Sequence, residues 1–174
     1  MPRPGERRHH AGSAGLAGLC VVLCVVLPGC AAGPAGPSEP ILRRLRADGA
    51  PLTLQSGFDS ARREILRTHS EWQRGWSMLT ARVPGAGPAP ALDFRREMVI
   101  LVAQGVQRSG GHSVRIESIA LVRGALVVNI TRHRPAPGCV TMTALTSPAD
   151  AVVVGRWGGP VRYLEAEVTD QCVR

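Results

Sequence analysis

Met98-Val99-Ile100-Leu101-Val102-Ala103 is a continuous apolar run. A strand with one wet face alternates apolar and polar residues, so an unbroken run predicts a central strand buried on both faces. Downstream, Ser109-Gly110-Gly111 marks a turn or bulge, where glycine adopts positive φ at little cost. From His112 to Val122 the apolar phase shifts, with Val114 and Ile116 in one register and Ile119 and Leu121 in the other. That shift predicts a bulge near Ser118. Arg123-Gly124 is a tight turn, after which Leu126, Val128 and Ile130 alternate with Val127, Asn129 and Thr131. This pair of segments is the clearest hairpin in the chain. Pro135-Ala136-Pro137-Gly138 ends it, two strands follow at Val140–Ala144 and Ala151–Val154, and Val161–Val168 adds an edge strand.

Upstream of the central run, Val83 to Pro90 is rich in Pro and Gly and reads as a loop. Thr68-His69-Ser70-Glu71 has the capping-box pattern, announcing a helix that carries Trp72, Trp76 and Leu79 on one face. A tryptophan pair on a helix can bind a ligand, but a face packed on a sheet is the expected reading. Strands are expected at Leu52–Leu54 and Arg63–Arg67. Six to eight strands with one packed helix define an α+β domain, a mainly antiparallel sheet or sandwich, because its connections are too short for helical crossovers.

The N-terminus has a different grammar. Arg3, Arg7 and Arg8 precede an uncharged stretch from Ala14 to Val26. A bilayer-spanning helix needs roughly 20 apolar residues, and this core is shorter. A short apolar core behind arginines is the pattern of an export signal. It closes on Leu27-Pro28-Gly29-Cys30, which resembles a bacterial lipobox with Pro28 as its departure. Cys30 is the expected lipid site. The alternative is an ordinary signal peptide cut near Ala31-Ala32. Residues 1–29 are thus read as signal and 30–40, rich in Gly, Pro and Ala, as a tether. Residues 41–174 make a single domain, with Ile41–Ala47 as its lead-in or as an amphipathic turn against anionic lipid. With Cys30 acylated, Cys139 and Cys172 remain, and an even remainder in an exported chain reads as one disulfide.

Composition excludes some functions. The chain carries +8, yet all 21 of its basic residues are arginine, and aromatics make up 3% of it. The missing lysine is a compositional bias, and single-strand nucleic-acid binding needs stacking rings, so no nucleic-acid partner is expected. Beyond the signal the histidines are His69, His112 and His133, with no Gly-x-Ser-x-Gly elbow and no His-x-x-x-His or Cys-x-x-Cys spacing. His112 and Ser113 are adjacent, but neighbours on a strand point to opposite faces. No catalysis, metal or cofactor is expected. A protein-binding module and a small-ligand or cell-envelope sensor remain.

Several segments resemble, in order, the C-terminal domain of the PrcB-type protease-complex subunit family. They are Asp93-Phe94…Met98-Val99, Ser109-Gly110-Gly111-His112-Ser113-Val114, Pro137-Gly138-Cys139 and Ala144-Leu145-Thr146-Ser147-Pro148. His112 stands where that family usually has tyrosine. Ser56-Gly57 and Glu71-Trp72…Trp76 extend the resemblance upstream. It implies an extracytoplasmic lipoprotein on the periplasmic or outer-membrane side of the envelope. Such a subunit supports a dentilisin-type, subtilisin-like protease rather than cutting peptides. Arg108, Gly110, Gly111, His112 and Arg115 are then the expected partner-facing residues, offering backbone at the turn to a partner strand.

Overall fold

A computed structural model describes residues 43–47, 50–51 and 55–172. The signal, the tether, Cys30 and the expected strand at Leu52–Leu54 lie outside the described residues. In chain order the elements are β1 (Arg43–Arg44), β2 (Arg46–Ala47), β3 (Ala50–Pro51), β4 (Arg62–Leu66) and α1 (His69–Thr80). They continue with β5 (Glu97–Ala103), β6 (Ser113–Val122), β7 (Ala125–Pro135), β8 (Ala149–Gly155) and β9 (Val161–Asp170). Seven of the strands form two sheets, ordered β1-β8-β5-β4 and β6-β7-β9, while β2 and β3 pair with each other. The fold is α+β and mostly β.

Strand β5 lies inside the four-stranded sheet, and its period of two feeds two cores. Val99, Leu101 and Ala103 pack with Trp72, Trp76 and Leu79 of the helix. Met98, Ile100 and Val102 pack against Val114, Ile116, Val128 and Ile130 of the second sheet. Helix and sheet thus cover the two faces of β5, which explains why residues 98–103 carry no polar break. Burying each such aliphatic side chain stabilises the fold by about 1.5–3 kcal/mol.

The helix starts as its sequence predicts. Thr68 Oγ1 accepts the Glu71 amide at 3.3 Å, and Glu71 Oε2 accepts the Thr68 amide at 3.0 Å. The loop at 83–90 is fastened to the helix by its tryptophans: Trp72 Nε1 donates to Pro90 O and Trp76 Nε1 to Gly87 O, both at 2.9 Å. Both indole donors are therefore used internally, as befits core residues. Asp93 ends that loop by accepting the Arg95 amide at 3.0 Å, a bond that holds its carboxyl below the usual carboxylate range. The β6–β7 register shifts between Ile116 and Ser118, the expected bulge. Arg123 and Gly124 both take positive φ, as a two-residue hairpin turn matched to strand twist requires. The lead-in packs on the domain: Arg43 and Arg44 pair with Val153 and Val152, and Leu45 is buried.

Two expectations are corrected. Val140–Ala144 forms no strand, and Val140 and Met142 are 101% and 71% exposed. The segment alternates like a half-buried strand but has no sheet face to lie on. Gly138, at φ +84°, turns the chain out, and the isolated bridges of Thr146 with Gln107 and of Ser147 with Gln55 bring it back. Strand β9 is an edge strand as expected, but it runs parallel to β7. A parallel neighbour needs a crossover, and here the crossover is β8 in the other sheet rather than a helix.

Candidate functional site

The segment that fails to become a strand builds the most distinctive surface of the domain. It leaves β7 at Pro135 and is tied down at three places. Cys139 is disulfide-bonded to Cys172, with the two Cα atoms 5.2 Å apart. In the middle, Gly110 N donates to Met142 O at 2.9 Å. At the far end, Gln107 N donates to Thr146 O at 2.7 Å, Thr146 N returns to Gln107 O at 3.0 Å, and Thr146 Oγ1 donates to Ser109 O at 2.9 Å. Between these anchors Val140, Met142 and Leu145 all stand largely in solvent. Anchored apolar side chains in water lack the compensation that a core residue has, and such patches mark interaction sites.

Of the expected partner-facing residues, Gly110 and Gly111 lie against this segment. Gly110 is buried and its amide is already used by Met142. Gly111, at φ +82°, lies 3.4 Å from Pro135 by its missing Cβ, so glycine is needed there for backbone conformation. The Gly110 amide therefore supports the loop, while Gly111 is exposed. Arg108 is exposed beside the Gln107–Thr146 bridge. Arg115 is exposed on β6 and lies 3.5 Å from Glu117. His112 is half-buried, and its Nδ1 has no protein partner among the described residues. Next to the disulfide lies an open cleft of about 380 Å³, with walls from Gly111, Pro135, Val140 and Thr141.

His133 Nδ1 lies 2.9 Å from Asp170 Oδ1, and Ser113 is the register partner of His133 across the β6–β7 pair. Among the described residues no hydroxyl is hydrogen-bonded to His133. Among the same residues no three His, Cys, Asp or Glu side chains come together as a metal site. A second cleft, ≈ 410 Å³, lies beside the helix between Phe58, Ile65, Leu66 and Met78, with Glu64 and Arg74 at its walls.

Sequence reasoning missed Val140, Met142 and Leu145 as a surface, because their alternation is also that of a strand. The signal was the flanking punctuation: Pro-Gly-Cys before and Ser-Pro after confine the segment to a short excursion.

Fold and surface together define a mostly β module with an anchored, exposed apolar loop. Residues 98–155, from the central strand through the loop to the end of β8, match the family model described as PrcB C-terminal, which supports a PrcB-type assignment for this domain. No curated protein and no solved structure matches the chain.

Proposed function

We propose that this chain is a non-catalytic accessory subunit, exported and held on the cell envelope by a lipid on Cys30, that binds a partner protein through the loop at 140–145. The partner is an extracytoplasmic, subtilisin-like protease. The observation that carries the binding reading is the loop itself: three large apolar side chains, Val140, Met142 and Leu145, exposed on a segment fixed by a disulfide and by backbone bonds. Preorganisation of this kind lowers the ordering cost of association. Methionine and arginine are favoured at interfaces, and the exposed Arg108 follows Gln107, which bridges to Thr146 at the end of the loop. The PrcB-type match supports a role beside a protease. Leu27-Pro28-Gly29-Cys30 behind the apolar core supports the anchor, which would raise the local concentration of the loop near co-anchored partners.

Capture from native membranes with the full chain as bait tests the reading. A serine-hydrolase probe should label a captured protein and not the bait. Metabolic labelling with a fatty-acid analogue should mark the wild type and spare Cys30→Ser. If nothing is captured while a small molecule raises the melting temperature, the cleft beside the helix takes over as the functional site and the protein is a ligand sensor.

A further inference from the structure

Strand β9 ends the three-stranded sheet, and among the described residues no strand pairs with its outer side. Leu126 N donates to Pro160 O and Ala136 N to Asp170 O, both at 2.9 Å. In a parallel ladder with Leu126 opposite Val161, those bonds turn the polar groups of the even-numbered β9 residues toward β7. The N–H and C=O groups of Val161, Tyr163, Glu165, Glu167 and Thr169 therefore point outward. Glu165 illustrates the openness: its side chain is 26% exposed, yet the residue as a whole counts as exposed because its backbone is bare.

On the outer face of this edge the side chains run Arg162, Leu164, Ala166, Val168, Asp170. The series is complementary to its own reverse about Ala166. An antiparallel second copy with its Ala166 opposite this one sets Leu164 against Val168 and Arg162 against Asp170, each pair twice. Leu164 and Val168 are 57% and 40% exposed, so the pairing covers apolar surface that is otherwise wet. Because the polar groups of Ala166 face β7, the pair on the axis is of the non-hydrogen-bonded kind, with Cα atoms about 4.5 Å apart, where a small side chain fits best. The flanking outward-pointing residues then exchange backbone bonds across the axis.

The opposite face places Glu165 against Glu167 of the second copy. Inward charges of this sort usually blunt an edge. Here each is already neutralised within its own chain: Glu165 by Arg63 and Arg132, Glu167 by Arg132 and Arg134. Sliding the register by two residues, to an axis on Glu165, would oppose Leu164 to Ala166 and Arg162 to Val168, set Glu165 against its own copy, and lose both matched pairs. We infer that β9 is a self-association edge, and that two chains join β9 to β9 about a two-fold axis at Ala166, making one six-stranded sheet from two three-stranded ones.

Cysteine crosslinking of the full-length chain tests both association and register. Ala166→Cys should form a covalent dimer on mild oxidation, well above the wild-type background. Leu164→Cys alone should not, whereas a mixture of Leu164→Cys and Val168→Cys chains should. Sedimentation equilibrium should show a reversible dimer that Arg162→Asp weakens about tenfold through two like-charge pairs, with the Arg162→Asp/Asp170→Arg double variant restoring it. The melting temperature of Arg162→Asp should stay unchanged at concentrations where the chain is monomeric. A wild-type chain that is monomeric at every concentration overturns the inference. So does a Leu164→Cys chain that crosslinks alone as fast as Ala166→Cys.

Discussion

The Asp150 carboxylate, on β8 of the four-stranded sheet, lies 2.8 Å from the amide nitrogen of Ile116, on β6 of the other sheet. It also accepts from Arg44, whose second guanidinium nitrogen donates to Ile116 O at 2.7 Å. One buried carboxylate thus joins the lead-in, β8 and the start of the β6 bulge.

Asp150→Ala strands a buried amide and leaves Arg44 without its acid. Removing one partner of a buried ion pair costs about 3–5 kcal/mol, and because Arg44 keeps some access to water the lower end applies here. Denaturant titration should show the midpoint falling with the slope unchanged.

A second ionic tie closes the side of the sandwich. Arg63 on β4 grips Glu165 on β9 with two nitrogens, one bond measuring 2.6 Å. The Arg63 hydrogen bond, reinforced by the charges of Arg63 and Arg132, holds the Glu165 carboxyl below its ordinary value of 4.5. A carboxylate with a lowered folded pKa binds protons more readily when unfolded, so its contribution is complete above the ordinary value and fades as pH falls through the lowered one. Wild-type stability should therefore drop on acidification below about pH 4.5, and Glu165→Gln should flatten that part of the profile. Melting temperatures measured across the acid range for both chains check this.

The Cys139–Cys172 bridge spans 33 residues. Closing a loop of that length is worth roughly 3–4 kcal/mol in the chain-entropy description. Cys172→Ser should lose about that much, and hydrogen exchange should speed up at 139–142 before it does in the strands. Mass spectrometry of unreduced digests should recover the two cysteines in one linked peptide.

What the sequence disclosed depended on how local the cause was. The capping box of Thr68 and Glu71, the turn at Arg123-Gly124 and the two-faced burial of 98–103 are set by neighbours in the chain, and all could be read directly. The cysteine pairing followed from counting. The direction of β9 could not be read, because whether an edge strand runs parallel depends on which sheet the preceding strand has joined. The role of Asp150 has no local signal, since its partners Ile116 and Arg44 are distant in sequence. The loop at 140–145 misled for a third reason: alternation specifies a strand only when the segment lies along a sheet edge, and here the Cys139–Cys172 bridge and the Gly110–Met142 bond hold it in another course.

Paired capture with wild-type and Met142→Asp bait from native membranes asks whether the loop at 140–145 binds a protease partner. A charge at that exposed position should leave the melting temperature within about 1 °C, in line with the small effects of surface substitutions. The wild type should bring down a protein labelled by the serine-hydrolase probe, and Met142→Asp should lose most of that signal. Equal capture by both baits, or probe labelling of the bait itself, would contradict it.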